Sequence, residues 1–420
     1  MWSVSNRVAV RHPAAEPSDA VRRIPPARTA ELTDAARAMR QQGQPVIELA
    51  AGEPDFRTPQ PVVDAAVSAL HNGLTGYAPN QGRRDLREAI CSKLARENNA
   101  SYSPEQVVVS NGAKQSVAQA IMATCGPGDE VIVPAPHWVS YPEMVHLAGA
   151  TPIVPQTSLA SCFKLTPLQL EECLSSNTRM LVLVSPANPT GSVYSRTELE
   201  ALTKVLERYE RVAILADEIY EHVLHPGAEH TCIASISELQ ERTLLVNGFS
   251  KAFSMTGWRL GYLAAPTTEL ALAISALQSQ LTSGAANFTQ SAAIEALAMG
   301  TGPESPVTKM VHAFTERRDR LVSELSTIER LRYSTPEGAF YLWLDASELV
   351  GEGVRARGYG LVRDDEELCE YLLKEGRVCL VPGSAFGQGP AMRLSYAADL
   401  ESLVEAVRRM KDALSRDQIG

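Results

Sequence analysis

Residues 244–261 read LLVNGFSKAFSMTGWRLG, and the way this stretch is parsed decides the fold. Leu244 to Val246 is a run of β-forming apolar residues ending in Asn247 and Gly248, so it predicts a buried strand emptying into a loop. Lys251 follows at once, with Ser250 before it and Arg259 eight residues on. A lysine on a loop at the end of a buried strand loses solvation; this disfavours the ammonium and leaves an amine able to act as a nucleophile. That is the setting a Schiff base needs, and the competing reading is an ordinary surface charge.

Outward from this stretch, short apolar strands alternate with helical patterns. Strands are expected at Val107 to Ser110, Glu130 to Pro134, Met180 to Ser185, Val212 to Ala216, Thr243 to Val246 and Tyr262 to Ala265, with helices at Val62 to His71, Arg84 to Asn98, Gln115 to Cys125 and Arg196 to Tyr209. Such alternation predicts an α/β fold, a mostly parallel sheet between helices, with ligands beyond the carboxyl ends of the strands. Upstream, Glu31 to Gln42 predicts a helix and Pro45 to Ala50 a strand leading into the turn-rich AGEPDFRTP. Downstream, Val307 to Thr327 predicts a long helix, followed by strands at Ala339 to Leu344, Val378 to Val381 and Met392 to Tyr396. The expected division is a loose arm over 1–27, a smaller α+β domain from 28–60 and 300–420, and a large domain over 61–299.

The 420 residues carry a formal net charge of −10, 45% hydrophobic and 21% charged residues, an ordinary globular composition with no basic footprint for nucleic acid or anionic membrane. No run approaches the roughly 18 uninterrupted apolar residues of a membrane span. The N-terminus has arginines but no apolar h-region, so the cytoplasm is the expected compartment. The 7 cysteines lack C-x-x-C spacing and are expected to be small core residues rather than disulfides or zinc ligands.

Four further strand ends carry chemistry-bearing residues. In VVVSNGAKQS, Gly112 and Ala113 open a helix, whose free amides and dipole suit a phosphate; the bland reading is a common helix entry. In PAPHWVSYPEM, Trp138 follows a strand and is placed either to stack on a planar ring or to pack in the core. In SPANPTG, Asn188 is suited to hold a phenolate-like oxygen, or simply forms a turn. In LADEIYEH, Asp217 is placed to keep a ring nitrogen protonated, with Tyr220 reaching the same ring, or Asp217 is a helix cap. His222, His225 and His230 lie near Glu218 and Glu221, but their spacings match no zinc motif, so a solvated loop is expected there and no metal.

Taken together and in this order, these residues resemble the fold type I pyridoxal-phosphate enzymes, and in particular the class I aminotransferases of the bacterial aspartate aminotransferase gamma subgroup. The resemblance runs from about Thr29 to Ala413 and rests on AGEPDF, NPTG, DEIY and SKAFSMTGWRLGY. It implies a seven-stranded large-domain sheet, pyridoxal 5′-phosphate as cofactor, and ping-pong transfer of an amino group from an L-amino acid to a 2-oxo acid. Lys251 is then the Schiff-base lysine and proton carrier, Asp217 the partner of the ring nitrogen, and Asn188 and Tyr220 the partners of the ring oxygen. Trp138 stacks on the ring, while Gly112, Ala113, Ser250 and Arg259 hold the phosphate. Tyr77 reaches a phosphate across a homodimer interface, and Arg393 with Gly52 binds the substrate α-carboxylate, closing the cleft.

Substrate choice is read from Lys114, which in that branch binds a distal carboxylate and favours aspartate or glutamate. The segment IPPARTAEL departs from the pattern: Pro25 and Pro26 replace the expected lysine and proline, and Arg28 follows Ala27 where a serine would be more familiar, with only Thr29 retained. Arg28 is therefore either a second candidate for a distal carboxylate or a residue that shifts specificity away from the dicarboxylates toward aromatic or other donors, and prephenate transamination is put in doubt by the missing lysine. A same-fold enzyme diverted to lyase, decarboxylase or oxidase chemistry is the alternative reading. A silent scaffold is opposed by the intact set Lys251, Asp217, Asn188 and Arg393.

Overall fold

The computed structural model describes residues 22, 24, 28–415, 418 and 419, with the side chains of 28–31 excepted. Apart from positions 22 and 24, the arm expected over 1–27 lies outside these residues. The helix Arg28–Gln41, the first given in full among the described residues, leads to the two-residue strand β1 (Ile47–Glu48) and then to the AGEPDFRTP loop. Seven strands follow: β2 (Val107–Ser110), β3 (Glu130–Ile132), β4 (Thr151–Ile153), β5 (Thr178–Val184), β6 (Ala213–Asp217), β7 (Thr243–Gly248) and β8 (Gly261–Ala264). Beyond them lie β9 (Tyr341–Asp345), the short antiparallel pair β10 (Arg355–Ala356) and β11 (Gly360–Leu361), then β12 (Val378–Cys379), β13 (Val381–Pro382) and β14 (Ala391–Ser395).

The main sheet has the order β2-β8-β7-β6-β5-β3-β4. Only β8 runs against its neighbours, antiparallel to both β7 and β2, as a mostly parallel α/β sheet requires. Alternate residues of each strand enter opposite cores. Val107, Val109, Leu181, Leu183, Ile214 and Leu245 fill one face, and Val108, Met180, Val182, Leu215 and Val246 the other. A sheet covered on both faces explains why these strands read as unbroken apolar runs rather than alternating ones.

Register then lines up the functional ends. Ser110 and Gly248 both pair with Gly261, Asp217 with Val246, and Val184 with Asp217. The loops after β2, β5, β6 and β7 therefore leave the sheet side by side along one edge.

A second layer is built on the antiparallel sheet β13-β14-β9. The helix Pro306–Leu325, capped by Ser305, packs Met310, Phe314, Leu321 and Leu325 on this sheet at helical spacing. Two sequence expectations change here. The strand expected over Val378 to Val381 is split, Val378–Cys379 pairing with β1 and Val381–Pro382 with β14, so a single apolar run serves two sheets. The strand expected from Ala339 begins at Tyr341, because Ala339 takes a left-handed backbone with φ of 56° that no strand accommodates.

The histidine segment is corrected too. It is not a solvated loop: His225 is buried between Thr315 and Tyr396, with ring nitrogens 3.0 and 2.7 Å from their hydroxyls. Burial drives its pKa down to about 3, so it stays neutral. His230 Nε2 lies 3.0 Å from the buried Glu218, and Glu221 is held by Lys93, Asn98 and Asn247. Glu218, Glu221 and His230 lie close enough to one another to hold a metal ion. Of the two carboxylates, Glu221 is already paired with the Lys93 ammonium and Glu218 faces His230. The cysteine expectation is corrected in part: Cys125, Cys232, Cys369 and Cys379 are buried, whereas Cys162 is exposed.

Candidate active site

The strand ends converge on a cavity of about 530 Å³, bounded by residues from both layers. Gly52, Ala113, Lys114, Trp138, Asn188 and Asp217 line it, and so do Tyr220, Ser250, Lys251, Arg259 and Arg393. All but three of the residues singled out in the sequence are thus brought together. Gly112 lies immediately behind Arg259. Tyr77 is 96% exposed and does not line the cavity of this chain. Arg28 opens the helix Arg28–Gln41, and its side chain is not among the described ones.

Lys251 sits just past β7, and its Nζ donates to the Gly52 carbonyl. Its pKa falls to about 8, first because burial disfavours the ammonium, then because the Arg393 and Arg259 charges repel it; Glu53 and Asp217 act the other way. Asp217, 5% exposed at the end of β6, accepts from Tyr141 Oη at 2.7 Å and from the Ile219 amide at 3.2 Å. Burial raises its pKa to about 6 against these two donors. A cation beside it would reverse that shift.

Opposite, the helix Ala113–Thr124 starts at Gly112, whose φ of 90° favours glycine, and no side chain caps its first amides. A Cβ on Gly112 would fall 2.4 Å from Arg259 Nη2. With no side-chain cap, this helix entry leaves its first amides beside the Arg259 guanidinium, a cradle suited to an anion. Arg259 is held open by the Thr256 carbonyl at 2.8 Å, and Lys114 Nζ lies 4.8 Å over the Trp138 ring.

Arg393, on β14, is 6% exposed. Its Nη1 donates to Asn188 Oδ1 at 3.1 Å and its Nη2 to the Ala50 carbonyl, while its Nε is buried without a partner. The Asn188 amide oxygen being occupied, its NH₂ is left to donate. The guanidinium stacks 4.6 Å from the Tyr341 ring and 4.9 Å from that of Phe386.

Several cavity residues escaped the sequence reading. Tyr141 and Tyr341 are aromatic residues in apolar contexts and carry no local signal. Thr33, Asp34 and Arg37 line the mouth from the helix Arg28–Gln41, with Arg37 Nη1 3.0 Å from Asp34. The loop carrying Gly52 is pinned by Arg317, which makes two bonds of 2.7 and 2.8 Å to Asp55, and by Thr58 donating to the Ser254 carbonyl at 2.6 Å.

A doubly covered, mostly parallel sheet with a lysine, an aspartate and an anion cradle at its strand ends, faced by a buried arginine from the second layer, suits an aminotransferase. Residues 44–410 match the class I and II aminotransferase family, and the chain belongs to it, a family of pyridoxal-phosphate-dependent enzymes. Among its relatives, a bifunctional aspartate aminotransferase and glutamate/aspartate-prephenate aminotransferase of Petunia hybrida is 51% identical over 94% of this chain and 82% of its own length. An aspartate/prephenate aminotransferase of Cereibacter sphaeroides is 44% identical over 94% of this chain and 97% of its own. The solved aspartate aminotransferase of Rhizobium meliloti superposes with a TM-score of 0.91 at 38% identity, over 97% of this chain and all of that one. The Thermus thermophilus aspartate aminotransferase with maleate does so at 0.88 and 38%, over 95% and 99%.

Proposed function

We propose that the chain transaminates a dicarboxylic L-amino acid, of the aspartate or glutamate kind, with pyridoxal 5′-phosphate held in this cavity. The observation that carries the reading is the joint placement of Lys251, Asp217 and Arg393 around one cavity with an anion cradle at its far wall. The residues fit the cofactor. The uncapped amides from Ala113, with Ser250 and Arg259, suit a phosphate dianion, and Trp138 offers a ring face. Asp217 suits a protonated ring nitrogen, which would hold its carboxyl ionised, and Asn188 and Tyr220 donate toward a ring oxygen. When bound, pyridoxal phosphate supplies an electron-withdrawing ring that stabilises negative charge at the substrate Cα.

The chain's own groups do the rest. Arg393, with its free Nε, grips the α-carboxylate in a two-pronged pair and fixes which Cα bond stands toward Lys251. The Lys251 amine removes the Cα proton, and its depressed pKa keeps a useful fraction unprotonated near neutrality. Because the cavity is lined from both layers, we propose that the layer of residues 28–60 and 300–420 closes on the large one of 61–299 and sheds water. A second copy is proposed to complete the site through Tyr77, whose 96% exposure, with the exposed Val67 and Leu70 on the helix before it, suits a partner.

Lys114 supports the dicarboxylate preference. It lies in the cavity with burial and Arg259 lowering its pKa, so a substrate's second carboxylate would restore it. The test presents single amino acids to the holoenzyme, follows the cofactor absorbance, then adds 2-oxo acids. Conversion by aspartate or glutamate, reversed by the oxo acid, is expected; ammonia release or oxygen uptake without it would overturn the reading. In the same assay Lys114→Ala is expected to raise KM for dicarboxylic donors about tenfold, the weight of one charge-assisted hydrogen bond, and to leave neutral donors unchanged.

Tyr141→Phe tests the aspartate. Removing the donor at 2.7 Å leaves Asp217 with less to oppose its burial, so its pKa rises further. As the ionised form is the working one, the acid limb of the kcat/KM profile is expected to move to higher pH by about one unit, with a loss of about twofold at pH 7. An unchanged limb would separate Asp217 from the chemistry.

A further inference from the structure

Tyr341 has no role in the reading above, yet it touches three groups that do. It is fully buried on β9, and its Oη lies 2.8 Å from Tyr220 Oη. On the neighbouring strand Arg393 pairs with Trp343 and Ser395 with Tyr341, which puts Tyr341 and Arg393 on the same face of the sheet. The guanidinium therefore stacks on its ring at 4.6 Å. A Cβ on Gly52 would fall 2.6 Å from the Tyr341 hydroxyl, so the AGEPDF loop is seated directly on it.

The hydrogen bond between the two tyrosines has a direction. Each hydroxyl has one proton to give. Both side chains border the cavity, but Tyr341 is 0% exposed and has Tyr220 Oη as its one hydrogen-bond partner among the described residues, whereas Tyr220 is 3% exposed. Were Tyr220 the donor, the proton of the less exposed Tyr341 hydroxyl would have no acceptor among the described residues, the costlier arrangement. With Tyr341 donating, the Tyr220 proton points into the cavity. A hydroxyl that accepts a hydrogen bond is a stronger donor through its own proton, since the bonds polarise one another.

We infer that Tyr341 is a positioning residue: its hydroxyl turns the Tyr220 proton toward the cofactor's ring oxygen and strengthens it, and its ring seats Arg393 for the substrate carboxylate. The inference rests on the function proposed above. It assigns one side chain two separable effects. The hydroxyl acts on the pH behaviour of the resting enzyme through Tyr220, and the ring acts on substrate binding through Arg393.

The test titrates the resting holoenzyme without substrate, following the pH midpoint of its cofactor absorbance. Stronger donation by Tyr220 to the ring oxygen favours the unprotonated chromophore, so Tyr341→Phe is expected to raise the midpoint by about one unit, the weight of one neutral hydrogen bond. KM for the amino acid should stay within about twofold, because the ring remains. Tyr341→Leu is expected to raise the midpoint equally and to raise KM about tenfold through the lost stacking. In a Tyr220→Phe background the Tyr341→Phe change should add nothing to the midpoint. A Tyr341→Phe midpoint within 0.2 unit of wild type, taken as about the scatter of one titration, or a full shift persisting without the Tyr220 hydroxyl, overturns the inference. The titration needs no turnover, so a chain that holds the cofactor but does not transaminate overturns the proposed function and leaves this readout standing.

Discussion

Lys251→Ala is expected to lower transamination by about 10⁴-fold, the upper end of what a positioned proton carrier contributes, and to abolish the absorbance of a lysine-linked cofactor. The expectation rests on the amine's chemistry rather than on its place in a motif. An ordinary lysine at neutral pH is almost wholly ammonium and can neither attack a carbonyl nor take a proton. With its pKa drawn down to about 8 by burial, Arg393 and Arg259, Lys251 is about one tenth amine at pH 7 and half amine at pH 8. Uptake of the cofactor aldehyde by apoprotein should therefore rise through about pH 8, the amine form appearing as pH increases. Alanine removes the amine and leaves the anion cradle, so the aldehyde should still be held, reversibly, and be lost on dialysis. Lys251→Arg keeps a cation and has no usable free base, so it should be as inactive as alanine. Activity of either variant above a few per cent of wild type would remove Lys251 from the centre of the site.

The strands were legible because a sheet covered on both faces demands apolar runs, and their ends were legible because ligand-binding residues follow those runs at once. Asp217 after β6 and Lys251 after β7 needed nothing further. Tyr141 and Tyr341 were not legible. Their partners lie 76 and 121 residues away, and a tyrosine in an apolar context looks the same whether its hydroxyl meets water or a catalytic group. The histidine loop misled for the opposite reason. Charged and histidine residues close together suggest solvent, but here Lys93, reached across 128 residues, neutralises Glu221 and lets the segment be buried. The mouth of the cavity is the least legible part. Arg28 drew notice by its departure from a pattern, while Asp34 and Arg37, about one and a half and two and a half turns further along the same helix, are the residues seen lining the cavity.

Arg393→Ala is expected to raise KM for every 2-amino-acid donor by about 10²–10³-fold, since truncating one partner of a buried, hydrogen-bonded charge pair costs about 2–5 kcal/mol. The geometry singles out this arginine. It is 6% exposed, no carboxylate of the chain pairs with it among the described residues, and its Nε has no partner at all. A buried cation left in that state is stable only if its missing anion arrives from outside. Burial also lowers the pKa of the guanidinium, which stays charged nonetheless because its ordinary value is so high. Removing the charge has a second effect, on Lys251. Arg393 is the largest electrostatic cause of that lysine's low pKa, so in the alanine variant the amine should titrate above 8, and cofactor uptake by apoprotein should move to higher pH. Arg393→Lys should fall between the two proteins, since an ammonium keeps the charge but cannot reproduce the two-pronged grip. The two readouts check one another. A raised KM with an unmoved uptake profile would mean that Arg393 binds substrate without acting on Lys251. A KM within threefold of wild type, well short of the loss of even one charged hydrogen bond, would place the α-carboxylate elsewhere in the cavity.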